Sequence, residues 1–403
     1  MKKLLLLGGS RFLYPVIREA KALGLYVITC DYLPENPAHR VSDEYRNVSI
    51  IEKNDVFALA KELAIDGIMS FACDPGVITA AYVAEQMGLP NVGPYTSVEI
   101  LQNKDRFRSF LKENGFPVPW LASFQDIESA LRESGSCPWP VIVKPVDSAG
   151  SKGVTRVDKP ESLPAAVRHA FDNSRCKRII IEEFIVPKGF PSDTECFSVD
   201  GELRFVTWNS QRFDADAENP YTPAGFSWPS SMTRAEETAL TEQLQRLLRL
   251  LGMRNAVYNI EARVGQNGVP YLMEVSPRGG GNRLCEMVQF ITGAPMIRNA
   301  VKAAVGLPLD PFPPLHYDAC WAEVILHSRA SGIFRGLDIS PEVEPALVER
   351  DMWVAPGDPV EAFTGANKTI GTLVLRFSSA EEVAERLKHQ ERWLKILVEP
   401  SRG

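Results

Sequence analysis

The chain has 403 residues, room for roughly two to three domains of about 150 residues and a sizeable core. Its 45% hydrophobic and 24% charged residues are a globular composition, which excludes a mostly disordered or fibrous protein. Setting 44 Lys and Arg against 51 Asp and Glu gives a net charge of −7, so neither nucleic acid nor an anionic membrane is an expected partner.

Leu4–Leu7, a turn at Gly8-Gly9, an amphipathic stretch to about Leu23 and Leu25–Cys30 read as strand, helix, strand. A helix from about Asp55 to Ala64, a strand Gly67–Phe71, a helix Pro75–Met87 and a short strand near Val92 extend this βαβ opening. They predict a parallel, helix-covered sheet up to about residue 95. One helix, capped by Ser97 and running to Asn114, then bridges to the next unit. Residues 118–206 differ in kind, with short strands at Val141–Lys144, Gly153–Val157, Ile179–Phe184 and Cys196–Val199, a helix near Leu163–Phe171, and a Ser/Gly loop. Thr233 and Glu236 form a capping box for a long helix ending at Gly252, and two strands and two helices follow to about Gly306. The proline-dense run Gly306–Pro314 reads as a linker. Beyond it come strands Trp321–His327 and Thr372–Phe377 and a helix from Ser379.

Some chemistries are excluded outright. The 7 cysteines contain no C-x-x-C pair, the 5 histidines show no H-x-x-x-H spacing, and no G-x-S-x-G elbow occurs. The Leu4–Leu7 run is interrupted too soon for a signal peptide, and no uncharged apolar run approaches the roughly 20 residues of a membrane span. A cytoplasmic location is the expectation.

Chemistry is therefore sought among carboxylates, lysines and arginines. Val257–Arg263 and Tyr271–Arg278 flank Asn267-Gly268, a strong hairpin signal. A two-residue turn there sets Gly265 opposite Pro270 and, counting outward, Glu261 opposite Glu274. Facing like charges are destabilising, and a divalent cation between them removes the conflict. The other reading is an exposed hairpin with both carboxylates in water. Next along the chain, Ser276-Pro277-Arg278-Gly279-Gly280-Gly281-Asn282-Arg283 adds two cations and backbone donors, a set suited to phosphoryl transfer or, more plainly, to a salt bridge beside a loop.

Upstream, Lys144 ends an apolar strand and leads into Asp147-Ser148-Ala149-Gly150-Ser151-Lys152-Gly153, a donor-rich loop without P-loop spacing. A buried lysine at a strand end needs an anionic partner. The strand Arg178–Ile181 closes on Glu182-Glu183, either a hinge offering backbone groups to a purine or a strand leaving the core. Gly8-Gly9 with Asp31 suggests a dinucleotide site, although the full G-x-G-x-x-G is missing. Cys73-Asp74-Pro75-Gly76 and Gln211–Pro229 are substrate contacts or ordinary loops.

Lys104 in Asn103-Lys104-Asp105-Arg106-Phe107, Lys144, the Ser/Gly loop, Glu182–Ile185, Glu195, Glu261, Glu274 and Arg278, in this order, resemble the ATP-grasp superfamily. That family includes biotin carboxylase, D-alanine–D-alanine ligase and ATP-dependent enzymes of purine synthesis. The resemblance implies an α/β, ATP-grasp fold: a pre-ATP-grasp domain at 1–100, linker helix and lid at 101–206, catalytic sheet at 207–310 and a small α+β extension at 311–403. It implies that Lys104 and Lys144 bind ATP phosphates beneath a loop containing Ser148, Ser151, Lys152 and Gly153. Glu182, Glu183 and Ile185 would hold adenine, and Glu195 the ribose. Glu261 and Glu274 would bind Mg²⁺, with Mn²⁺ as a substitute, and Arg278, with Lys144, would act on the transferred phosphoryl group. Ser276 departs from the asparagine many members have there, which puts a third protein ligand in doubt.

The activity so implied is ATP-dependent carboxylate–amine ligation through an acylphosphate, on an amino acid or related small acid. Its partners would be small-molecule carboxylates and amines, with a homodimer allowed. Bicarbonate activation, a nucleotide-binding regulator that does not turn over, and an NAD-dependent dehydrogenase on the N-terminal βαβ are the rival readings.

Overall fold

The computed structural model describes residues 1–133, 137–147 and 152–400. The N-terminal unit runs β1 (Lys3–Leu7), α1 (Tyr14–Ala22), β2 (Tyr26–Cys30), β3 (Glu44–Arg46), α2 (Lys53–Leu63), β4 (Gly67–Ser70) and α3 (Asp74–Met87). Its strands form a parallel sheet in the order β3-β2-β1-β4, as the alternation of strand and helix predicts. The order reverses between β1 and β4, so the turns after these two strands border the crevice where such sheets take ligands. No strand forms at Val92, whose carbonyl instead accepts from Arg254 N (2.9 Å). Pro90 and Pro94 bracket it and withdraw backbone donors.

The bridging helix is two helices, α4 (Tyr95–Gln102) and α5 (Lys104–Glu113). Asn103 breaks them at φ −118° and caps the second through its side chain. Ser97 is no cap, since its hydroxyl donates to Leu251 O at 2.6 Å. The break puts Lys104 at the first position of a helix, aimed at the catalytic sheet.

β5 (Leu121–Phe124), α6 (Ile127–Glu133), β6 (Val141–Pro145), β7 (Thr155–Val157), α7 (Leu163–Asp172) and β8 (Ile179–Glu183) make the lid, an antiparallel sheet of order β5-β8-β6-β7. Its core joins Val141, Val143, Ile179 and Ile181 to the apolar face of α7. The next strands are β9 (Ser192–Val199), β10 (Glu202–Val206), β11 (Ser210–Phe213) and β12 (Pro223–Trp228). After them come α8 (Arg234–Leu250), β13 (Ala256–Val264), β14 (Pro270–Ser276), α9 (Leu284–Thr292) and α10 (Met296–Ala304). The expected capping box is present at Thr233 and Glu236. Strands β10-β9-β13-β14 form one antiparallel sheet, so β9 and β10 join the expected catalytic sheet rather than the lid, because they pair with β13 and each other and not with β5–β8. One of its faces packs on α8 through Leu240, Leu244 and Leu247 against Tyr258 and Ile260.

No helix or strand covers residues 307–319, as the proline run predicts. The last elements are β15 (Cys320–Leu326), β16 (Gly332–Ile339), β17 (Leu347–Met352), β18 (Pro359–Val360), β19 (Gly371–Phe377), α11 (Ala380–Lys388) and β20 (Leu394–Pro400). They do not stand apart. β15 pairs with β12 in a sheet of order β11-β12-β15-β19-β17, so strands from either side of residue 310 share one layer. Phe226 and Trp228 of β12 pack with Leu284 and Met287 of α9, fixing that layer against the catalytic unit. Among the described residues, no helix is long and apolar enough to cross a membrane.

Candidate active site

Glu261 and Glu274 face each other in the β13–β14 register. The route to that pairing is not a two-residue turn. Gly268 sits at φ +77°, Gly268 N donates to Gly265 O and Gly265 N to Val269 O, which is a three-residue hairpin loop. Pro270 therefore pairs with Val264, not Gly265. Between Leu272 and Glu274 the extra residue Met273 forms a bulge, and its carbonyl accepts from Arg108 Nη1 at 2.7 Å. Turn and bulge shift the register by one residue each in opposite senses, so the two carboxylates still meet.

Burial first, then the neighbouring Glu274, raises the Glu261 carboxyl above the usual range. Lys104 Nζ lies 3.4 Å from Glu274 Oε2, and its own pKa is raised mainly by Glu274, against burial. Two oxygen-donor carboxylates held face to face by adjoining strands suit a hard divalent cation. Among the described residues, no group of three or more His, Cys, Asp or Glu side chains is arranged to hold an ion. Ser276 is not a candidate ligand, being 1% exposed, with its hydroxyl accepting from Gln102 Nε2 (2.7 Å) and donating to Asp74 Oδ1 (3.2 Å).

Lys144 and Glu182 are diagonal neighbours on one face of the lid sheet, because Ile142 pairs with Glu182 and Lys144 with Ile180. They form an ion pair, and Arg108 Nε holds the other Glu182 oxygen at 2.5 Å. Burial alone would raise the Glu182 carboxyl; Arg108 and Lys144 overcome it and hold it at about 2. Burial also lowers the Lys144 pKa, with Glu182 opposing. The Glu182 carboxylate is thus committed to two cations, and an adenine contact would fall to the backbone of Glu183–Ile185 rather than to this side chain. Glu183 accepts from Trp120 N at 3.1 Å, and Ile185 is buried beside the β13–β14 turn at Gly265. Arg108 was absent from the sequence-based set, although its i,i+4 spacing from Lys104 on one helix face was the available signal.

Ser148 and Ser151 lie outside the described residues. Lys152 is exposed, whereas Gly153 is buried at φ +72°, and a Cβ there would lie 2.6 Å from Asn173. Gly153 is accordingly a packed turn residue rather than a phosphate-facing one.

Arg278 is 8% exposed, and its Nε donates to Asp74 Oδ1 at 2.7 Å. Burial opposes its charge, and Asp74 more than offsets this. Asp74 is the first residue of α3, so the N-terminal unit supplies the counterion for the catalytic arginine candidate. The following glycines are required by close approach: a Cβ at Gly279 would lie 2.2 Å from the Phe71 ring, and one at Gly280 2.4 Å from Glu195 Oε1.

Glu195 is corrected by its surroundings. It is 0% exposed, accepts from Gly280 N (2.8 Å), Asn259 Nδ2 (3.3 Å) and Cys285 Sγ (3.1 Å), and burial pushes it up to about 8. Such a group supports the glycine loop from below and is not offered to ribose hydroxyls. Asp193, opposite Glu261 in the register, went unremarked as a site residue; it is buried, its pKa is raised by burial and Glu261, and it accepts from Asn259 Nδ2 at 2.6 Å. Alternation along β9 puts Asp193 and Glu195 on one face, a signal that was readable.

The dinucleotide reading fails on packing. A Cβ at Gly9 would lie 2.6 Å from Asn36 and His39, and one at Gly8 3.3 Å from Cys73 Sγ, so protein atoms cover the glycines a pyrophosphate would approach.

The parallel N-terminal sheet, the lid over an antiparallel carboxylate-bearing sheet, and Lys104, Lys144 and Arg278 converging on that sheet define an ATP-grasp architecture. Residues 137–286 match the family model of the ATP-grasp domain. A formate-dependent phosphoribosylglycinamide formyltransferase of Prochlorococcus marinus is 32% identical over 190 residues, 46% of this chain and 48% of that protein. The N-terminal section of the carbamoyl phosphate synthase large chain of Methanopyrus kandleri is 25% identical over 90% of this chain and 62% of that protein. The aligned region spans about half the length of the formyltransferase relatives. Among solved structures, an L-amino acid ligase from Bacillus licheniformis shares the fold over 99% of both chains, at TM-score 0.80 and 22% identity. Residues 137–286 thus match an ATP-grasp domain, and the likeness over 99% of the chain shows the ATP-grasp fold.

Proposed function

We propose that this protein is an ATP-dependent carboxylate–amine ligase that works through an acylphosphate, on an amino acid or related small acid. The observation that carries the reading is the facing pair Glu261 and Glu274, flanked by Lys104, with Arg278 two residues beyond the same strand. Glu261 and Glu274 would hold Mg²⁺, or Mn²⁺ in its place, which when bound neutralises charge on the ATP phosphates. Lys104 and Lys144 would bind phosphate oxygens, and both already sit among carboxylates that keep them oriented. Backbone of Glu183–Ile185 would meet the adenine.

A carboxylate oxygen of the acid attacks the γ-phosphorus, the bond to the β,γ-bridging oxygen breaks, and ADP leaves. The amine lone pair then attacks the acyl carbon, phosphate departs, and the amine gives up its proton. Arg278, held by Asp74, would offset the charge that grows on the phosphoryl oxygens. The names of the formyltransferase, carbamoyl phosphate synthase section and amino acid ligase support this chemistry as a class.

ADP release measured with Mg²⁺-ATP and pooled acids and amines, with and without bicarbonate, tests the reading. Stimulation by an acid–amine pair supports ligation. Stimulation by bicarbonate alone would move the assignment to bicarbonate activation, and ATP binding without release under any addition would leave a nucleotide-binding regulator.

A further inference from the structure

The N-terminal unit and the catalytic sheet meet across small side chains. Helical spacing puts Val77, Ala80, Ala81 and Ala84 on one face of α3, and Ala300, Ala303 and Ala304 of α10 answer them. Between these faces, beside Ala256 and Val257 of β13, lies a cavity of about 50 Å³. Close contacts at the rim keep the two units from closing further. A Cβ at Gly67 would lie 2.2 Å from Ala304 O, Val92 O accepts from Arg254 N at 2.9 Å, and Lys2 Nζ donates to Val305 O at 2.5 Å. Settling onto the gap would break these contacts, so the methyl groups stay apart.

The polar groups around the cavity are turned to other partners. Ser70 Oγ donates to Cys73 O (2.6 Å), Asn255 Oδ1 accepts from Asp200 N (2.6 Å), and Asn91 Oδ1 accepts from Arg254 Nη1 (3.2 Å). Arg278 closes the inner end, its Nε on Asp74 and its Nη1 donating to Gly279 O (2.9 Å). Water in such a place needs about two to four polar partners, whereas an apolar occupant needs none. An apolar cavity of about 150 Å³ takes benzene, so this smaller one suits xenon or a compact hydrocarbon group of a few heavy atoms. Half-buried Asn91, Val92 and Asn255 mark its entrance, where a larger molecule can seat an apolar tip and leave its polar remainder in water.

The cavity is separate from the carboxylate cleft. Asn259 pairs with Ser276, so Val257 lies beyond that pair, roughly 13 Å along β13 from Glu261. Its link to the chemistry runs through α3, which lines the cavity and begins at Asp74, the counterion of Arg278. An occupant between α3 and β13 fixes the spacing across which that ion pair forms.

We infer that this cavity is a ligand site distinct from the cleft, for a compact apolar molecule or the apolar tip of a larger one, and that its occupant sets the seat of Asp74 on Arg278. Nuclear magnetic resonance of the full chain, with ¹³C-labelled alanine methyls and increasing xenon pressure, reads the site directly. Saturable shifts are expected at Ala80, Ala81, Ala84, Ala300 and Ala303, with the lid residues Ala166 and Ala170 unmoved, and the Arg278 Nε–H resonance is expected to move with them. Ala84→Leu fills the cavity from its wall, and Ala303→Leu, at a half-buried helical position, fills it from α10 without threatening the fold. Each should weaken xenon at least about 10-fold, the scale of an overpacked site, and leave ADP affinity unchanged. Shifts of equal size at Ala166 and Ala170, wild-type xenon affinity in both variants, or an unmoved Arg278 Nε–H at saturation would each overturn the inference. The site goes beyond the ligase reading and is tested without turnover. Absence of ADP release with every acid–amine pair would overturn that reading alone, and xenon binding would still decide this one.

Discussion

Asp74 and Arg278 are 204 positions apart and share a hydrogen bond of 2.7 Å, so the first turn of α3 holds the arginine that follows the facing carboxylates Glu261 and Glu274. The contact ties the N-terminal crevice to the catalytic sheet, with Ser276 bonded to the same carboxylate oxygen. Removing the carboxylate leaves a buried guanidinium without its counterion, a loss of about 3–5 kcal/mol. Asp74→Ala is expected to lower both the urea midpoint and the rate of ADP release. Wild-type turnover in that variant would show that Arg278 needs no tether.

Glu261→Gln should separate stability from activity. Glu261 opposes Glu274, and its neutral form is favoured by burial and by that neighbour, so the amide removes repulsion. Metal-free thermal stability is expected to stay level or rise, the increase in Tm on adding Mg²⁺-ATP to vanish, and turnover to fall about 10²–10³-fold, the scale of a lost electrostatic stabiliser. A persistent Mg²⁺-ATP shift would remove Glu261 from the ion site.

The Glu182 clamp predicts acid sensitivity. Its folded pKa, about 2, lies below the ordinary glutamate value, so it contributes stability above about pH 4.5 that is lost as pH falls toward 2. Urea unfolding from pH 7 to pH 3 should show this decline, and Glu182→Gln should reduce the slope while lowering stability at neutral pH, because Arg108 and Lys144 lose their shared anion.

Glu195 predicts the opposite slope. With a folded pKa of about 8, it keeps a proton that the unfolded chain releases above about pH 4.5, so its contribution is greatest in acid and is lost as pH rises to 8. Glu195→Gln, which cannot ionise, should flatten that part of the stability profile between pH 5 and 8. An unchanged profile would mean that Glu195 is already ionised in the folded state.

Gly279→Ala places a Cβ 2.2 Å from Phe71 and must displace the loop or the ring. Overpacking of this kind costs about 1–3 kcal/mol, and Phe71→Ala in the same chain should recover part of it. The double-mutant cycle, read by urea unfolding, checks that the loop seats against the N-terminal crevice through this contact.

Much of the architecture is legible in residue order because it rests on local rules. Alternating strand and helix signals predict the parallel N-terminal sheet, Thr233 and Glu236 predict the start of α8, and the prolines of 306–314 predict a stretch without helix or strand. The break at Asn103 was less visible, because the apolar pattern continues across it and only a backbone angle ends the first helix. The facing of Glu261 and Glu274 was anticipated from a turn that is not the one formed; the Met273 bulge, which no dipeptide signal marks, restores it.

By itself the sequence determined which residue types can carry the chemistry and the order in which they arrive: Lys104, Lys144, Glu261, Glu274 and Arg278. Strand and helix periodicity put each on a definable element. Only the tertiary structure decided what each one touches. It gave Glu182 to Arg108 and Lys144, buried Glu195 beneath Gly280, joined Arg278 to Asp74, and left the buried Glu323 carboxyl without a hydrogen-bond partner among the described residues. Those partnerships depend on desolvation and on contacts between residues distant in the chain, and neither is a property of any local run of amino acids.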